Sequence, residues 1–359
     1  MLDSKSLNIM IKHWWKALGV LLIIYTFTAG MLIPLRSGIT GVTPSSARTG
    51  DEIKIQVSGY NSHYKKAQDS LRAWLKLDDE KALAAKKIVV KDDQNIELSF
   101  QIPEYLPYSK RTKDFSLIID NELDGASVLP SAVFITQDSI DPEMGTSVWT
   151  NATISNLHDQ RGITFPFRNI LGETIRNTYF HVALWLAMMT ILIIAVVQSI
   201  HYLRNPLSIH DYKAQAYTRT GILLGVLGLV TGAIWAKNTW GAYWSGDVKQ
   251  NMTAIALLIY LAYFILRSSL NDNEQKARVA AVYNIFAFVA LIPLIYVIPR
   301  MQASLHPGAG GNMTFGSQDL DNTMRMIFYP AIIGWALIGV WISKLQYRMD
   351  VINEKIWDY

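Results

Sequence analysis

The sequence predicts an α-helical polytopic membrane protein, with about six transmembrane helices and an inserted domain that resembles a β-sandwich. Half of its 359 residues are hydrophobic and 17% are charged, whereas roughly a quarter are charged in a typical soluble chain. The apolar residues are clustered into six charge-free segments: 17–35, 180–203, 220–236, 252–266, 279–299 and 326–343. Apolar spans of roughly 17 to 25 residues match the hydrocarbon thickness of a bilayer. The fourth segment is short, so the helix count could differ by one.

The connecting loops carry basic residues unequally, which predicts the orientation. One set of loops carries Lys5, Lys12, Lys16, Arg204, Lys213, Arg219, Arg267, Lys276, Arg278, Lys344, Arg348 and Lys355. The other set carries Lys237, Lys249, Arg300 and Arg325. Both termini are therefore expected in the cytoplasm, and we interpret the first span as a retained anchor. The net charge of +4 follows this topology and does not indicate nucleic acid.

The composition excludes several kinds of chemistry. The chain has no cysteine, which excludes disulfides, cysteine zinc sites, thiol catalysis and covalent haem attachment through C-x-x-C-H. It also has no phosphate-binding G-x-x-x-x-G-K-[ST] motif, so any use of ATP belongs to partners. We find no catalytic constellation.

The predicted domains follow these patterns. They are a cytoplasmic N-terminus with the first helix (1–36), a periplasmic β-rich domain (37–150), a periplasmic pre-membrane segment (151–176), a five-helix membrane domain (177–345) and a cytoplasmic tail (346–359). Alternating apolar residues predict strands at 52–60, 70–77, 86–93, 95–102, 115–122 and 131–137. Short strands at this spacing favour an antiparallel sandwich. We expect His63 and the carboxylates of this domain on a solvated surface, and the domain to act as a binding or spacer module.

An aromatic stretch, IWAKNTWGAYWSGDVKQ (residues 234–250), lies between the third and fourth apolar segments. Interpreted as a helix, it places Trp240, Tyr243, Trp244 and Asp247 at i, i+3, i+4 and i+7 on one face. This spacing predicts an aromatic shelf along the outer membrane surface. The alternative is an ordinary aromatic belt at headgroup level.

Two histidines are expected at the same outer level as this shelf. His181 opens the second helix and His306 follows the fifth. Imidazole is a common axial ligand of haem iron, aromatic rings stack on the macrocycle, and basic side chains pair with propionates. The pattern therefore suggests binding of haem, which the absence of C-x-x-C-H leaves non-covalent. The candidate propionate partners are Arg176, Lys237, Lys249, Arg300 and Arg325, and each is equally suited to contact lipid headgroups.

Residues 231–250, TGAIWAKNTWGAYWSGDVKQ, resemble the tryptophan-rich WWD signature of haem-handling proteins of cytochrome c biogenesis. The lead-in, 231–241, is most similar to the CcmC branch, haem exporter protein C, and the resemblance extends over about residues 172–343. It implies that His181 and His306 are the axial ligands of the haem iron. The implied haem-binding platform is Trp240, Gly241, Tyr243, Trp244 and Asp247. Trp235, Lys237 and Arg300 are further candidate haem-binding residues.

The resemblance also implies a location and partners. The protein would lie in the bacterial inner membrane, bind haem at the periplasmic face and hand it to a periplasmic chaperone of the CcmE type. A small CcmD-type membrane protein and an ABC-type pair, CcmA and CcmB, would belong to the same assembly. Gly246 departs from the signature, because the family usually has another tryptophan there. The large insertion at 37–176 is also unexpected for a CcmC-type loop.

Three alternatives remain open from the sequence. The signature of a CcsA-like cytochrome c synthase is matched less well, because Val248 and Gln250 replace its Pro and Glu and no further paired histidines are evident in the helices. A di-haem b-type electron carrier needs facing histidines at a second depth, where His201 lacks an obvious partner. A membrane sensor or adhesion protein would place the function in the β-rich domain.

Overall fold

The computed structural model describes residues 4–78, 81–149, 154–160, 162–306 and 320–357. The chain forms two compact units. One spans Ile33–Glu173, and the other combines Met1–Leu32 with Thr174–Tyr359. Of the predicted pre-membrane segment, residues 151–153 and 161 lie outside the described ones.

The first unit contains two β-sheets, which confirms the inserted β-rich domain. Its strands are β1 (Gly38–Thr43), β2 (Ser46–Arg48), β3 (Glu52–Tyr60), β4 (Arg72–Lys76), β5 (Ala82–Ala84), β6 (Lys87–Val90), β7 (Asn95–Gln101), β8 (Thr112–Asn121) and β9 (Gly125–Thr136). The sheets have the orders β1-β3-β7-β6 and β2-β9-β8-β4-β5. All these pairings are antiparallel except β2 with β9, which is parallel. Each predicted strand overlaps an observed one, whereas the alternation missed β1, β2 and β5.

The core of this unit consists of side chains that alternate inward along the strands. In β3, for example, Ile53, Ile55 and Val57 are buried between exposed polar neighbours, as the period of two requires. A short helix, α2 (Pro142–Trp149), places the ring of Trp149 5.3 Å from that of Phe115. The Trp149 indole nitrogen donates to a backbone carbonyl at 3.1 Å, so its polar edge is satisfied although the ring is buried.

Two carboxylates of the β unit are buried, contrary to the solvated surface expected for them. Asp120 accepts hydrogen bonds from the backbone nitrogen of His158 at 2.8 Å, from its Nδ1 at 2.9 Å, and from Arg72. Asp124 likewise accepts hydrogen bonds from the backbone nitrogen of His63 at 2.9 Å and from its Nδ1 at 2.8 Å. Burial alone raises the pKa of each carboxyl group, but these hydrogen bonds lower it more, so both pKa values lie below the ordinary one.

The second unit is a bundle of long apolar helices, which confirms the polytopic membrane fold. Its helices are α1 (Ser4–Leu32), α3 (Ala183–Arg204), α4 (Ser208–Trp240), α5 (Val248–Ser268), α6 (Asn273–Ile292), α7 (Ile298–Met301) and α8 (Asn322–Trp357). A π-helical turn, Thr178–Val182, leads into α3, and another, Pro293–Val297, joins α6 to α7. Six helical segments in the described residues are long and apolar enough to cross a membrane: Lys12–Leu32, Gly172–Arg204, Ser208–Trp240, Val248–Ser268, Asn273–Met301 and Asn322–Ile356.

Glycines on α4 allow a close approach to α3, the usual way in which small residues pack membrane helices. They are Gly221, Gly225, Gly228 and Gly232. A methyl group at Gly221 would lie 2.4 Å from Leu192, and one at Gly232 would lie 2.6 Å from His181. This face of α4 therefore determines where the His181 ring sits.

Candidate haem-binding site

The aromatic stretch is not one helix, so the predicted single helical face is wrong. Helix α4 ends at Trp240, and Gly241 follows in the left-handed conformation with φ 84°, which glycine adopts without strain. Helix α5 begins at Val248, capped by the side chain of Asp247, which accepts from the backbone nitrogen of Lys249 at 2.9 Å. These two termination signals override the apolar period, and residues 241–247 form a loop.

His181 is held in one tautomer by α4. It lies in the π-helical turn before α3, and its Nδ1 is 2.8 Å from the carbonyl oxygen of Gly228. A carbonyl can only accept, so Nδ1 carries the hydrogen and Nε2 of the neutral ring keeps its lone pair. The hydroxyl of Thr231 lies 3.3 Å from the same Nδ1, and the ring of Trp185 packs edge-on at 6.2 Å.

His306 is oriented by Asp247 in an equivalent way. Its Nδ1 lies 2.8 Å from Oδ1 of Asp247, and 15% of its side chain is exposed. Since the carboxylate accepts this hydrogen bond, Nε2 is again the nitrogen with the free lone pair. Burial and the charge of Lys249 lower the pKa of His306 to about 4. The ring is therefore neutral near pH 7, the form that binds a metal.

Asp247 joins the start of α5 to the segment that follows α7. Besides Lys249 and His306, it accepts hydrogen bonds from the backbone nitrogen of Leu305 at 2.7 Å and the hydroxyl of Ser304 at 2.9 Å. Burial raises the pKa of Asp247, but the hydrogen bonds from Leu305, Lys249 and Ser304 lower it more, so the pKa lies below its ordinary value. Asp247 is thus a buried positioning residue rather than a part of an exposed shelf.

Two tryptophan rings contact the ring of His306. Trp240 lies 4.8 Å from it and Trp235 6.0 Å, measured between ring centroids, and the two indoles meet edge to face at 4.9 Å. Tyr243 and Trp244 lie in the loop and are 61% and 44% exposed. The structure therefore groups Trp235 and Trp240 with the histidine and leaves the other two aromatic side chains accessible.

The candidate propionate partners differ in their surroundings. Lys249 is close enough to interact electrostatically with both His181 and His306. Arg300 interacts electrostatically with Lys249. The ammonium of Lys237 donates to the carbonyl of Gly241 at 2.9 Å. In the described part of the chain, no carboxylate lies within 4.0 Å of the charged nitrogens of Lys249 or Arg300.

Arg176 and Arg325 have other local partners. Arg176 donates to the carbonyl of Gly30 at 2.8 Å, and Arg325 to the side chain of Asn322 at 3.5 Å. Lys249 and Arg300 are therefore the cations best placed to neutralise an anion beside the two histidines.

A cleft of about 460 Å³ adjoins Asp247 on the loop side. It is lined by residues 245–248, Asn251, Met252 and residues 302–305. Its lining contains neither histidine and neither clustered tryptophan, so it neighbours the histidine pair rather than enclosing it. Gly246 lines this cleft with φ 76°, a conformation that a tryptophan rarely adopts. The loop conformation here is therefore one that suits glycine.

A second histidine pair lies at the opposite end of α3, where the sequence showed no partner for His201. The rings of His201 and His210 lie 5.3 Å apart, and Nδ1 of His210 is 3.1 Å from Oε1 of Gln198. That expectation was wrong because the α3–α4 turn folds the two residues together.

The family model described as CcmC, Heme exporter protein C, matches residues 162–358. The chain belongs to the CcmC family. Three relatives named Heme exporter protein C illustrate the similarity. The protein from Bradyrhizobium diazoefficiens is 27% identical over 52% of this chain and 70% of its own length. The protein from Haemophilus influenzae is 29% identical over 37% of this chain and 54% of its own length. The protein from Paracoccus denitrificans is 23% identical over 52% of this chain and 76% of its own length.

The CcmC match contains both histidines, the tryptophans and Asp247, and confirms the family resemblance of the tryptophan-rich segment. It begins near the end of the β unit, so most of that unit is an addition to the matched CcmC region. The two histidines and the tryptophans were predicted from the sequence, whereas Gly228, Thr231, Gly232 and Ser304 were missed. The spacing of glycines on α4 was the signal that could have identified Gly228 and Gly232.

Proposed function

We propose that this protein binds haem between His181 and His306 and hands it to a periplasmic chaperone of the CcmE type during assembly of c-type cytochromes. The observation that carries the proposal is the matched pair of imidazoles. Each has its Nδ1 engaged by a protein acceptor, and neither Nε2 has a hydrogen-bond partner among the described residues. Membership of the CcmC family supports a role in haem transport for cytochrome c biogenesis.

The residues would divide the work as follows. The Nε2 atoms of His181 and His306 bind the iron, and Trp235 and Trp240 contact the macrocycle. Lys249 and Arg300 neutralise the propionates, with Lys237 at the rim of the loop. No cysteine is present for covalent attachment, so the haem is held as non-covalent haem b and can leave.

Release would proceed by ligand exchange, without proton transfer or nucleophilic catalysis by this chain. Tyr243 and Trp244 are exposed in the loop beside the histidine pair, where an incoming chaperone could contact them and Gly241. The distribution of basic loop residues supports a location of this end of the bundle on the periplasmic side of a bacterial inner membrane. Partners of the CcmD and CcmA/CcmB types complete the proposed assembly, with ATP used by the ABC pair.

The test is the absorption spectrum of the purified full-length protein after haem loading. We expect a low-spin spectrum typical of two histidine ligands, lost in both His181→Ala and His306→Ala. Haem that persists unchanged in both variants would refute the ligand assignment.

The variant His201→Ala provides a matched control at the far end of α3. It should keep the spectrum and the haem content of the parent protein. If instead about half of the haem is lost in this variant, the di-haem carrier would be favoured, because the His201–His210 pair would then hold a second haem.

A further inference from the structure

A pocket of about 150 Å³ lies between α1 and α8, at the end of the bundle opposite to the haem-binding site. The lining residues that matter here are Lys12, Trp15, Lys16, Trp341, Lys344 and Arg348. Nothing in the proposed haem transfer uses them, so their role is a separate question.

The pocket concentrates positive charge without neutralising it. The Lys16 ammonium lies 5.2 Å from the ring centroid of Trp341 and 5.8 Å from that of Trp15, while the Lys344 ammonium lies 4.6 Å from Trp15. Two ammonium groups thus approach the same indole, an arrangement opposed by their mutual repulsion. In the part of the chain that the structure describes, no carboxylate lies within 4.0 Å of the four cationic side chains.

Other cations at this end of the bundle do have carboxylate partners. Arg219 on α4 pairs with Asp350 on α8 at 3.0 Å, and Arg267 on α5 pairs with the buried Asp211. The unpaired cations of the pocket therefore differ from their neighbours and call for an external anion.

The depth of the pocket in the membrane indicates which anion. The charge-free segment of α1 begins at residue 17, directly after Lys16, and that of α8 ends at residue 343, directly before Lys344. Both lysines therefore lie at the boundary between hydrocarbon and headgroups, the level of lipid phosphates. Trp14, 62% exposed, adds an aromatic side chain of the kind that favours this interface.

The size of the pocket also limits the ligand. Its volume is about 150 Å³. That volume accommodates a phosphate group but not a tetrapyrrole. Acyl chains attached to the phosphate would extend along the lipid-facing side of α1, where Leu21 and Ile24 are exposed.

We propose that this pocket binds the phosphate headgroup of an anionic phospholipid, held by Lys16 and Lys344 with Lys12 and Arg348 at its rim. The headgroup joins the start of α1 to the end of α8 and relieves the repulsion between the two ammonium groups. This proposal does not depend on haem binding.

The experiment is a titration of the delipidated full-length protein in detergent, followed by native mass spectrometry. The probes are phosphatidylglycerol, phosphatidylcholine and inorganic phosphate. We expect saturable binding of phosphatidylglycerol, weakened about tenfold or more in Lys16→Gln/Lys344→Gln, because each cation near a membrane surface contributes measurably to anionic-lipid binding. Lys16→Arg/Lys344→Arg should restore the binding, which separates loss of charge from loss of folding.

The matched control is Lys276→Gln/Arg278→Gln, which removes the same charge from the start of α6, at the same end of the bundle. It should leave the affinity unchanged. Equal weakening in both double glutamine variants would overturn the proposal in favour of diffuse attraction. Equal binding of phosphatidylcholine would overturn the requirement for an anionic lipid. Saturable binding of inorganic phosphate with equal affinity would make the ligand a free anion, which also refutes a lipid site.

Discussion

The substitution Gly232→Ala tests whether α4 sets the position of His181. The new methyl carbon would lie 2.6 Å from Cε1 of His181, so the ring must retreat by about 0.8 Å to reach the 3.4 Å at which ordinary contact begins. A retreat of that size along the hydrogen bond would lengthen the contact between Nδ1 and the Gly228 carbonyl from 2.8 Å to about 3.6 Å, beyond hydrogen-bonding range. The hydroxyl of Thr231 still donates to that carbonyl at 3.0 Å, so the net loss is on the order of 1 kcal/mol.

The expected consequence for the proposed haem site is larger than the loss of stability. Groups that orient a metal-binding histidine are typically worth about 10- to 100-fold in affinity, so we expect a loss of that size in haem titrations followed by absorbance. Gly221→Ala is the control, because its methyl would lie 2.4 Å from Leu192, equally crowded but away from the histidine. An equal loss of affinity in both variants, or none in Gly232→Ala, would refute the reasoning.

Buried charges provide three further tests. Asp247→Asn should lower haem affinity about 10- to 100-fold, because the amide nitrogen would face the hydrogen-bond donors that the carboxylate now accepts from. The melting temperature should change little, because the amide oxygen still caps α5. Unchanged haem affinity in titration would contradict this. Asp120 and Asp124 have depressed pKa values in the folded protein, so their ionised carboxylates stabilise the β unit at pH values above the unfolded pKa of about 4. This contribution to stability should decrease as the pH falls below that value. Hydrogen exchange measured at falling pH would detect the decrease, and Asp120→Asn should make the stability depend less on pH. Arg267→Met should cost about 3–5 kcal/mol in unfolding measurements by leaving Asp211 unpaired, and adding Asp211→Leu should restore most of it.

Features set by local sequence were predictable. Charge-free runs located the six helices that, among the described residues, are long and apolar enough to cross a membrane, and alternation located β3 from Glu52 to Tyr60. The parallel pairing of the short strand β2 with β9 was not predictable, because nothing local specifies a partner so distant in sequence.

In the candidate site too, local sequence predicted some features, whereas contacts between distant residues determined others. The types of residue in the aromatic stretch indicated the chemistry. The helical period did not predict the loop, because Gly241 ends α4 and Asp247 caps α5 within that period. The contact between Asp247 and His306 spans 59 residues of sequence, so no spacing rule reveals it. Periodicity placed Asp247 on the aromatic face at the outer membrane surface, whereas long-range packing buries its carboxylate.

Asp247 performs two tasks with a single carboxylate, since it caps α5 and holds the imidazole of His306. Its replacement by alanine would therefore be expected to fray a transmembrane helix and loosen a proposed ligand together, whereas alanine at His306 removes the ligand alone. In a library of variants selected for haem retention, the tolerated substitutions at position 247 would be limited first by folding of the bundle. A small number of tolerated substitutions at position 247 would therefore not by itself show that Asp247 contacts the haem.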